Sequence, residues 1–256
     1  MNRKWLIIPD YENVEESVLL AEEYQAAFEY NDFWNPKVYE NPEEVKKRIQ
    51  LYKSLNRSLE EDTLHGVFLD MSIVSKDMLI REYSGKCYRQ SMEIANELGV
   101  KGVVFHSGLI GNLTVDYYIR EWLLQSEAFF RELAILYPDI EIYLENTFEQ
   151  TPDVLVTLKK RMSDVDRFKL CLDYGHAYLS KTDPTEWVLK MAPYIGHMHV
   201  NDNDLMNDLH LGVGEGQIDF IRWKQLLEQN GVNTSVLLEL NGIEKQRQSL
   251  AYMSGL

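Results

Sequence analysis

The segment YIGHMHVND, residues 194–202, ends an apolar run with two imidazoles, an amide and a carboxylate. In an extended chain alternate residues share a face, so Met198 and Val200 turn one way and His197, His199 and Asn201 the other. The same ending recurs along the chain. VVFHSG sets Val104 with His106, IYLENT sets Tyr143 with Glu145, LCLDYGH sets Cys171 with Asp173 and continues to His176, and VLLELNG sets Leu237 with Glu239. VFLDMS, read in the same way, pairs Phe68 with Asp70. The opposite phase stays apolar at Phe105, Leu144, Leu172, Val200 and Leu238. Carboxylates and imidazoles gathered without a counter-ion carry a heavy desolvation cost. Few Lys or Arg lie near these strand ends, which makes a divalent cation the economical partner. Mixed oxygen and nitrogen donors suit Mn2+, Zn2+, Fe2+ or Co2+ better than Ca2+. Singly, each residue has a plainer reading. Glu145 or Asp173 alone would be a rim carboxylate paired with Lys or Arg, His106 alone a hydrogen-bonded core histidine, and Cys171 a small core residue. His197, one layer below His199, reads as a core or supporting group. Glu145, Asp173, His199 and Glu239 together, in one phase and at one end of four strands, are hard to produce by chance.

Positioning them requires strands that end together. Apolar strand patterns, KWLIIP, AAFEY, GVFLDM, GVVFHS, IEIYLEN, KLCLDY, IGHMHVN and SVLLELN, alternate with amphipathic helical stretches from end to end. Gly99 and Gly231 follow helices as terminal caps, and Thr151-Pro152 and Asp183-Pro184 open them. Eight strands with intervening helices, no linker and no composition break predict an α/β fold of the (β/α)8 TIM-barrel type, a single domain over residues 1–256. A doubly wound open sheet is the alternative, but IIPDYENVEES after the first strand holds no glycine-rich dinucleotide loop. In a barrel of this kind functional groups come from the C-terminal strand ends. After the seventh strand, NDLHLGVGEGQIDF carries Asp208 and His210, then glycines at 212, 214 and 216. That spacing predicts a tight loop lying close to something and bringing Asp208 and His210 over the mouth.

Composition removes several functions. No apolar run approaches the ~20 residues of a membrane span, and the five-residue apolar stretch near the start is too short for a signal peptide. The reading is a soluble, cytoplasmic protein with no membrane partner. A net charge of −15 repels nucleic-acid backbones at long range and argues against a nucleic-acid partner. Cys87 and Cys171 lack zinc-knuckle spacing and read as reduced thiols.

The ordered set VVFHSG, IYLENT, LCLDYGHA, HMHVND, HLGVGEGQIDF and LLELNG, spanning roughly residues 100 to 242, resembles the xylose isomerase-like TIM-barrel superfamily. That superfamily includes sugar-phosphate isomerases and epimerases, ketose 3-epimerases, hydroxypyruvate isomerase and endonuclease IV. The resemblance implies one divalent metal, Mn2+ or Zn2+ ahead of Co2+, Fe2+ or Mg2+, held by Glu145, Asp173, His199 and Glu239. It also implies that Glu145 and Glu239 serve as acid and base, and that His176 contacts substrate oxygens. The activity so implied is isomerisation or epimerisation of a small-molecule sugar or sugar phosphate through an enediolate. A homodimer is the default assembly. The alternative is a zinc phosphodiesterase of the endonuclease IV type acting on abasic DNA. For it His106, His176, Asp208 and His210 match several additional metal ligands, but the histidine expected at the end of the third strand is replaced by Asp70 in FLDMS.

Overall fold

The computed structural model describes residues 3–256, so the first two residues of the expected domain lie outside the described part. The strands are β1 (Trp5–Ile7), β2 (Ala27–Tyr30), β3 (Thr63–His65), β4 (Gly102–His106), β5 (Glu141–Glu145), β6 (Phe168–Asp173), β7 (Ile195–Val200) and β8 (Ser235–Leu238). Each pairs in parallel with the next, and β8 returns to β1 with Leu6 opposite Leu237, closing the sheet. Around it lie α1 (Val14–Tyr24), α2 (Pro36–Tyr39), α3 (Pro42–Ser54), α4 (Met78–Leu98), α5 (Asp116–Leu136), α6 (Asp153–Arg161), α7 (Tyr174–Leu179), α8 (Pro184–Met191), α9 (Phe220–Gln229) and α10 (Ile243–Ser254). This is the expected (β/α)8 TIM barrel, and the open-sheet alternative falls with the closure of β8 on β1. No helix among the described residues is long and apolar enough to cross a membrane.

Alternation within the strands sorts the core into two parts. Ile7, Phe28, Leu64, Phe105, Leu144, Leu172, Val200 and Leu238 face outward into the layer between sheet and helices. Inside the barrel, small apolar clusters of Leu6, Ala27 and Leu237, and of Val104, Tyr143 and Cys171, form the floor beneath the polar strand ends. The helices begin on side-chain caps: Asn41 accepts from Glu43 N and Glu44 N, Asp77 from Leu79 N, and Asp183 from Thr185 N. Gly99 closes α4 with φ 79°, as its position predicts. Thr151 does not cap α6, which starts at Asp153 after Pro152 without a side-chain cap bond. Both cysteines are free and buried.

One strand sits elsewhere than its apolar content suggests. GVFLDM is not β3. The strand is the preceding triplet, Thr63–His65, paired with β4 through His65 opposite Val104. Gly66 lies so close to the Phe105 ring that a Cβ there would overlap it, and from Val67 onward the chain leaves the barrel. Asp70 is a loop residue at φ 58°, and the third strand ends on a histidine after all.

Candidate metal centre

Strand register brings the polar ends to one level. His106 lies opposite Glu145, and Glu145 opposite Cys171, one pleat below Asp173. Asp173 lies opposite His199 and His199 opposite Leu237, one pleat below Glu239. The β6–β7 pairing carries a shift at Leu170/Cys171, a local irregularity of the kind found beside functional sites. Glu145, Asp173, His199 and Glu239 are all buried, and each offers one ligand atom within 4.8 Å of the others. His199 Nδ1 lies 3.1 Å from Glu145 Oε1 and 3.5 Å from Glu239 Oε2. Glu145 Oε2 and Glu239 Oε2 are buried and have no hydrogen-bond donor. Orphaned carboxylate oxygens in a buried position are costly, and a bound cation would relieve that cost. The donor set therefore fits a divalent ion.

Asp173 is held from three sides. Its Oδ1 accepts from His176 N at 2.6 Å and caps α7, and its Oδ2 lies 3.3 Å from Asn201 Nδ2. Its backbone N–H and C=O pair reciprocally with the Asn146 amide at 2.8 and 3.0 Å. Burial, opposed by His176 but reinforced by Glu239 and Glu145, pushes its carboxyl up to about 7. Burial also works against the charged forms of Glu145 and Glu239, yet the His199 charge overrides it. Glu145 falls well below the usual carboxylate range and Glu239 is held at about 2.

Further ligand groups adjoin this one, among them His65 with His106 and Glu145, and His176 with Asp208 and His210. His65 Nε2 and His106 Nε2 approach Glu145 Oε2 at 3.5 and 3.4 Å, so Glu145 faces two groups at once. The Phe68 ring packs on both histidines, with centroids 5.0 and 4.7 Å away, and burial holds the His106 imidazole down at about 4. On the other side His176 Nε2 lies 3.3 Å from Asp208 Oδ2, and His210 Nε2 lies 3.3 Å from Asp208 Oδ1. His176 Nδ1 is 2.9 Å from Asn146 O, and His210 Nδ1 is 2.9 Å from Glu239 O. His210 holds φ 45°, a left-handed conformation uncommon outside glycine and characteristic of residues pinned at sites.

What the glycine-rich loop lies close to is Asp202. This buried carboxylate accepts from Asn203 N, Gly214 N, Gly216 N and Ile218 N at 2.9 to 3.0 Å. A Cβ at Gly216 would overlap Asp202, which is why that position is glycine. Asp202 also pairs with Leu211 through two backbone bonds, fixing the base of the excursion that carries Asp208 and His210.

All eight residues singled out from the sequence thus meet at one end of the barrel, but not in a single ligand group. His106 joins His65 rather than His176, Asp208 and His210. His65, Asn146, Asp202 and Glu29 escaped notice. The first was hidden by the misplaced third strand. The second and third are amide and carboxylate groups that act on backbone, for which a sequence carries no spacing signal. Glu29 alternates correctly within AAFEY, and its inward phase was the available clue.

The site opens into a cavity of about 1310 Å3, walled by Tyr11, Trp34, Phe68 and Phe148 and edged by Asp10, Asp32, Asp70, Asp208 and Glu239. None of its lining residues is Lys or Arg. A family model described as xylose isomerase-like TIM barrel matches residues 21–256. The uncharacterized protein MJ1311 of Methanocaldococcus jannaschii is 30% identical over 80% of this chain and 72% of its own. A solved D-tagatose 3-epimerase-like protein superposes with TM-score 0.78 at 26% identity, covering 99% of this chain and 96% of the other. The TTHB071 protein of Thermus thermophilus, soaked with zinc chloride, superposes with TM-score 0.78 at 22% identity over 99% and 97% of the two chains.

Proposed function

The chain belongs to the xylose isomerase-like TIM-barrel family, and from that premise we propose that it is a divalent-metal-dependent sugar isomerase or epimerase, with residues 1–256 as its single catalytic domain. The observation that carries this reading is the pairing of two glutamates, Glu145 and Glu239, within one buried ligand group beneath an aromatic-walled cavity. The likeness to a D-tagatose 3-epimerase-like protein supports the same reaction class. A divalent ion held by Glu145, Asp173, His199 and Glu239 would supply the positive charge that stabilises an oxyanion developing beside a carbonyl. Zn2+ or Mn2+ suits this donor set, and the zinc-soaked relative supports the former.

Both glutamates are held in the ionised form that a proton acceptor requires. One takes the proton from the carbon next to the carbonyl, and the other or the same group returns it, which gives epimerisation or isomerisation. Trp34 and Phe68, with ring centroids 5.0 Å apart, offer apolar faces to the carbon skeleton. His176 lines the cavity with Nδ1 on Asn146 O and Nε2 on Asp208, so a substrate oxygen would take its hydrogen bond by displacing Asp208.

A second reading is a three-metal phosphodiesterase of the endonuclease IV type. It is favoured by one specific observation, His65, which completes a group with His106 and Glu145. The absence of Lys and Arg from the cavity lining and the net charge of −15 weigh against it. The deciding experiment is incubation of metal-loaded protein in D2O with a panel of ketoses and aldoses, alongside metal counting. Deuterium incorporation at a carbon adjacent to the carbonyl is expected. Cleavage of abasic-site DNA with two or three zinc ions bound, and no exchange into any sugar, would replace the isomerase reading with the hydrolase one.

A further inference from the structure

Directly beneath the ligand group the barrel interior holds a second polar layer, and Glu29 and His197 of that layer lie within ligand distance of His199. Glu29 from β2, Thr63 from β3, His197 from β7 and Ser235 from β8 meet there, all buried. Thr63 Oγ1 donates to Glu29 Oε2 at 2.5 Å, and His197 Nε2 lies 3.1 Å from the same oxygen. Ser235 Oγ lies 2.7 Å from His197 Nδ1, which leaves the His197 Nε2–H for Glu29. The other carboxylate oxygen, Glu29 Oε1, lies 3.1 Å from His199 Nε2 as a buried charge pair, and neither atom makes a well-aligned hydrogen bond to any group. The opposite ring nitrogen, His199 Nδ1, faces Glu145 and Glu239.

Only one edge of the His199 ring can therefore serve the ligand group, and the other edge meets a carboxylate that is itself anchored on two sides. We propose that Glu29 is a positioning residue. It fixes His199 as the Nε2–H tautomer, aims the bare Nδ1 at the ligand group, and is held in turn by Thr63 and His197. A histidine ligand whose far N–H meets a carboxylate is fixed in orientation and made a stronger donor, and losing such a partner costs about ten- to a hundredfold in metal affinity. The proposal rests on His199 as a metal ligand and not on the reaction, so it holds for an isomerase and a hydrolase alike.

The test is Glu29→Gln, which keeps size and one acceptor oxygen. Zn2+ and Co2+ affinities are measured by chelator competition, the visible spectrum of the Co2+ form is recorded, and the His199 tautomer is read by 15N NMR of histidine-labelled metal-free protein at a pH high enough to take the second proton off the ring. Expected are an affinity loss in that range, an altered Co2+ spectrum, and a shift away from a pure Nε2–H tautomer, with the fold retained. If Glu29→Gln lowers the melting temperature but leaves affinity, spectrum and tautomer unchanged, Glu29 is only a core residue and the proposal is wrong. Should Glu29→Gln fail to fold, Thr63→Val removes one anchor of the carboxylate without touching His199. The same readouts then apply, and unchanged metal affinity and tautomer overturn the proposal. Should the wild-type protein bind no divalent ion, the metal-dependent function fails, and the tautomer comparison alone decides the role of Glu29.

Discussion

Asp173 concentrates the electrostatics of the site on one carboxyl. Burial raises it to about 7, with His176 opposing and the neighbouring Glu239 and Glu145 reinforcing. The sign matters for metal loading. Below that value the metal-free carboxyl is protonated and a cation must displace the proton; above it the carboxylate is free. Affinity for Zn2+ or Co2+ should therefore climb by about tenfold per pH unit for each proton displaced, and should climb less steeply above 7, where Asp173 is already ionised and the His199 imidazolium, held well above the usual imidazole range by neighbouring negative groups despite its burial, still has a proton to give up. Asp173→Ala should lose metal and activity together, and any residual binding should lose the steeper part of this pH dependence. Titration with a competing chelator at several pH values checks both, and a wild-type affinity that is flat from pH 5 to 8 would exclude Asp173 as the linked group. Asp173, Glu145, His199 and Glu239 were legible because each is the last inward residue of an apolar strand. His197 was legible for the same reason one pleat lower, where the structure hydrogen-bonds it to Ser235 and Glu29. Asn146 was not, because its partner is the Asp173 backbone and backbone atoms leave no trace in side-chain patterning.

Among the elements, the third strand and the loop after the seventh mark the limits of reading. Two alternating stretches adjoin, TLH and VFLDM, and hydropathy favours the longer. What decides against it is tertiary: Gly66 passes over the Phe105 ring and directs the chain out of the sheet. That shift of a few residues concealed His65 and with it an entire ligand group. The loop was read more successfully, since alternating glycines signal close backbone approach, but what they approach is a side chain of the protein itself. Asp202 substitutes for a ligand by accepting four backbone N–H groups. Asp202→Ala would leave those donors facing a void, at a cost on the order of 3 kcal/mol or more, and would free the segment bearing Asp208 and His210. The expected result is a lower melting temperature and loss of any ion bound by His176, Asp208 and His210, while the group around Asp173 keeps its own. Metal counting and calorimetry on the variant check this, and unchanged stability with full metal content would contradict the role given to Asp202.

For the whole molecule, the barrel was legible because its period repeats: eight inward–outward strands alternate with helices, and five of those read correctly finish in the same chemistry, at His106, Glu145, Asp173, His199 and Glu239. The surface charge was equally plain, and the structure gives it a location. Among the lining residues of the cavity are five carboxylates and no Lys or Arg, in a chain of net charge −15. An anionic substrate must approach against that field, whereas a neutral ketose feels none of it. Raising ionic strength shortens the screening length from about 30 Å at 0.01 M to about 10 Å at 0.1 M. If the proposed reaction is on an uncharged sugar, kcat/KM for that sugar should stay level across this range, and the phosphate ester of the same sugar should be the poorer substrate, improving as salt is added. Steady-state rates with both forms at several salt concentrations make the comparison. A phosphate ester turned over faster than its parent sugar at low salt would mean that bound metal reverses the field at the mouth, and would return the adjoining ligand groups, rather than the glutamate pair alone, to the centre of the mechanism.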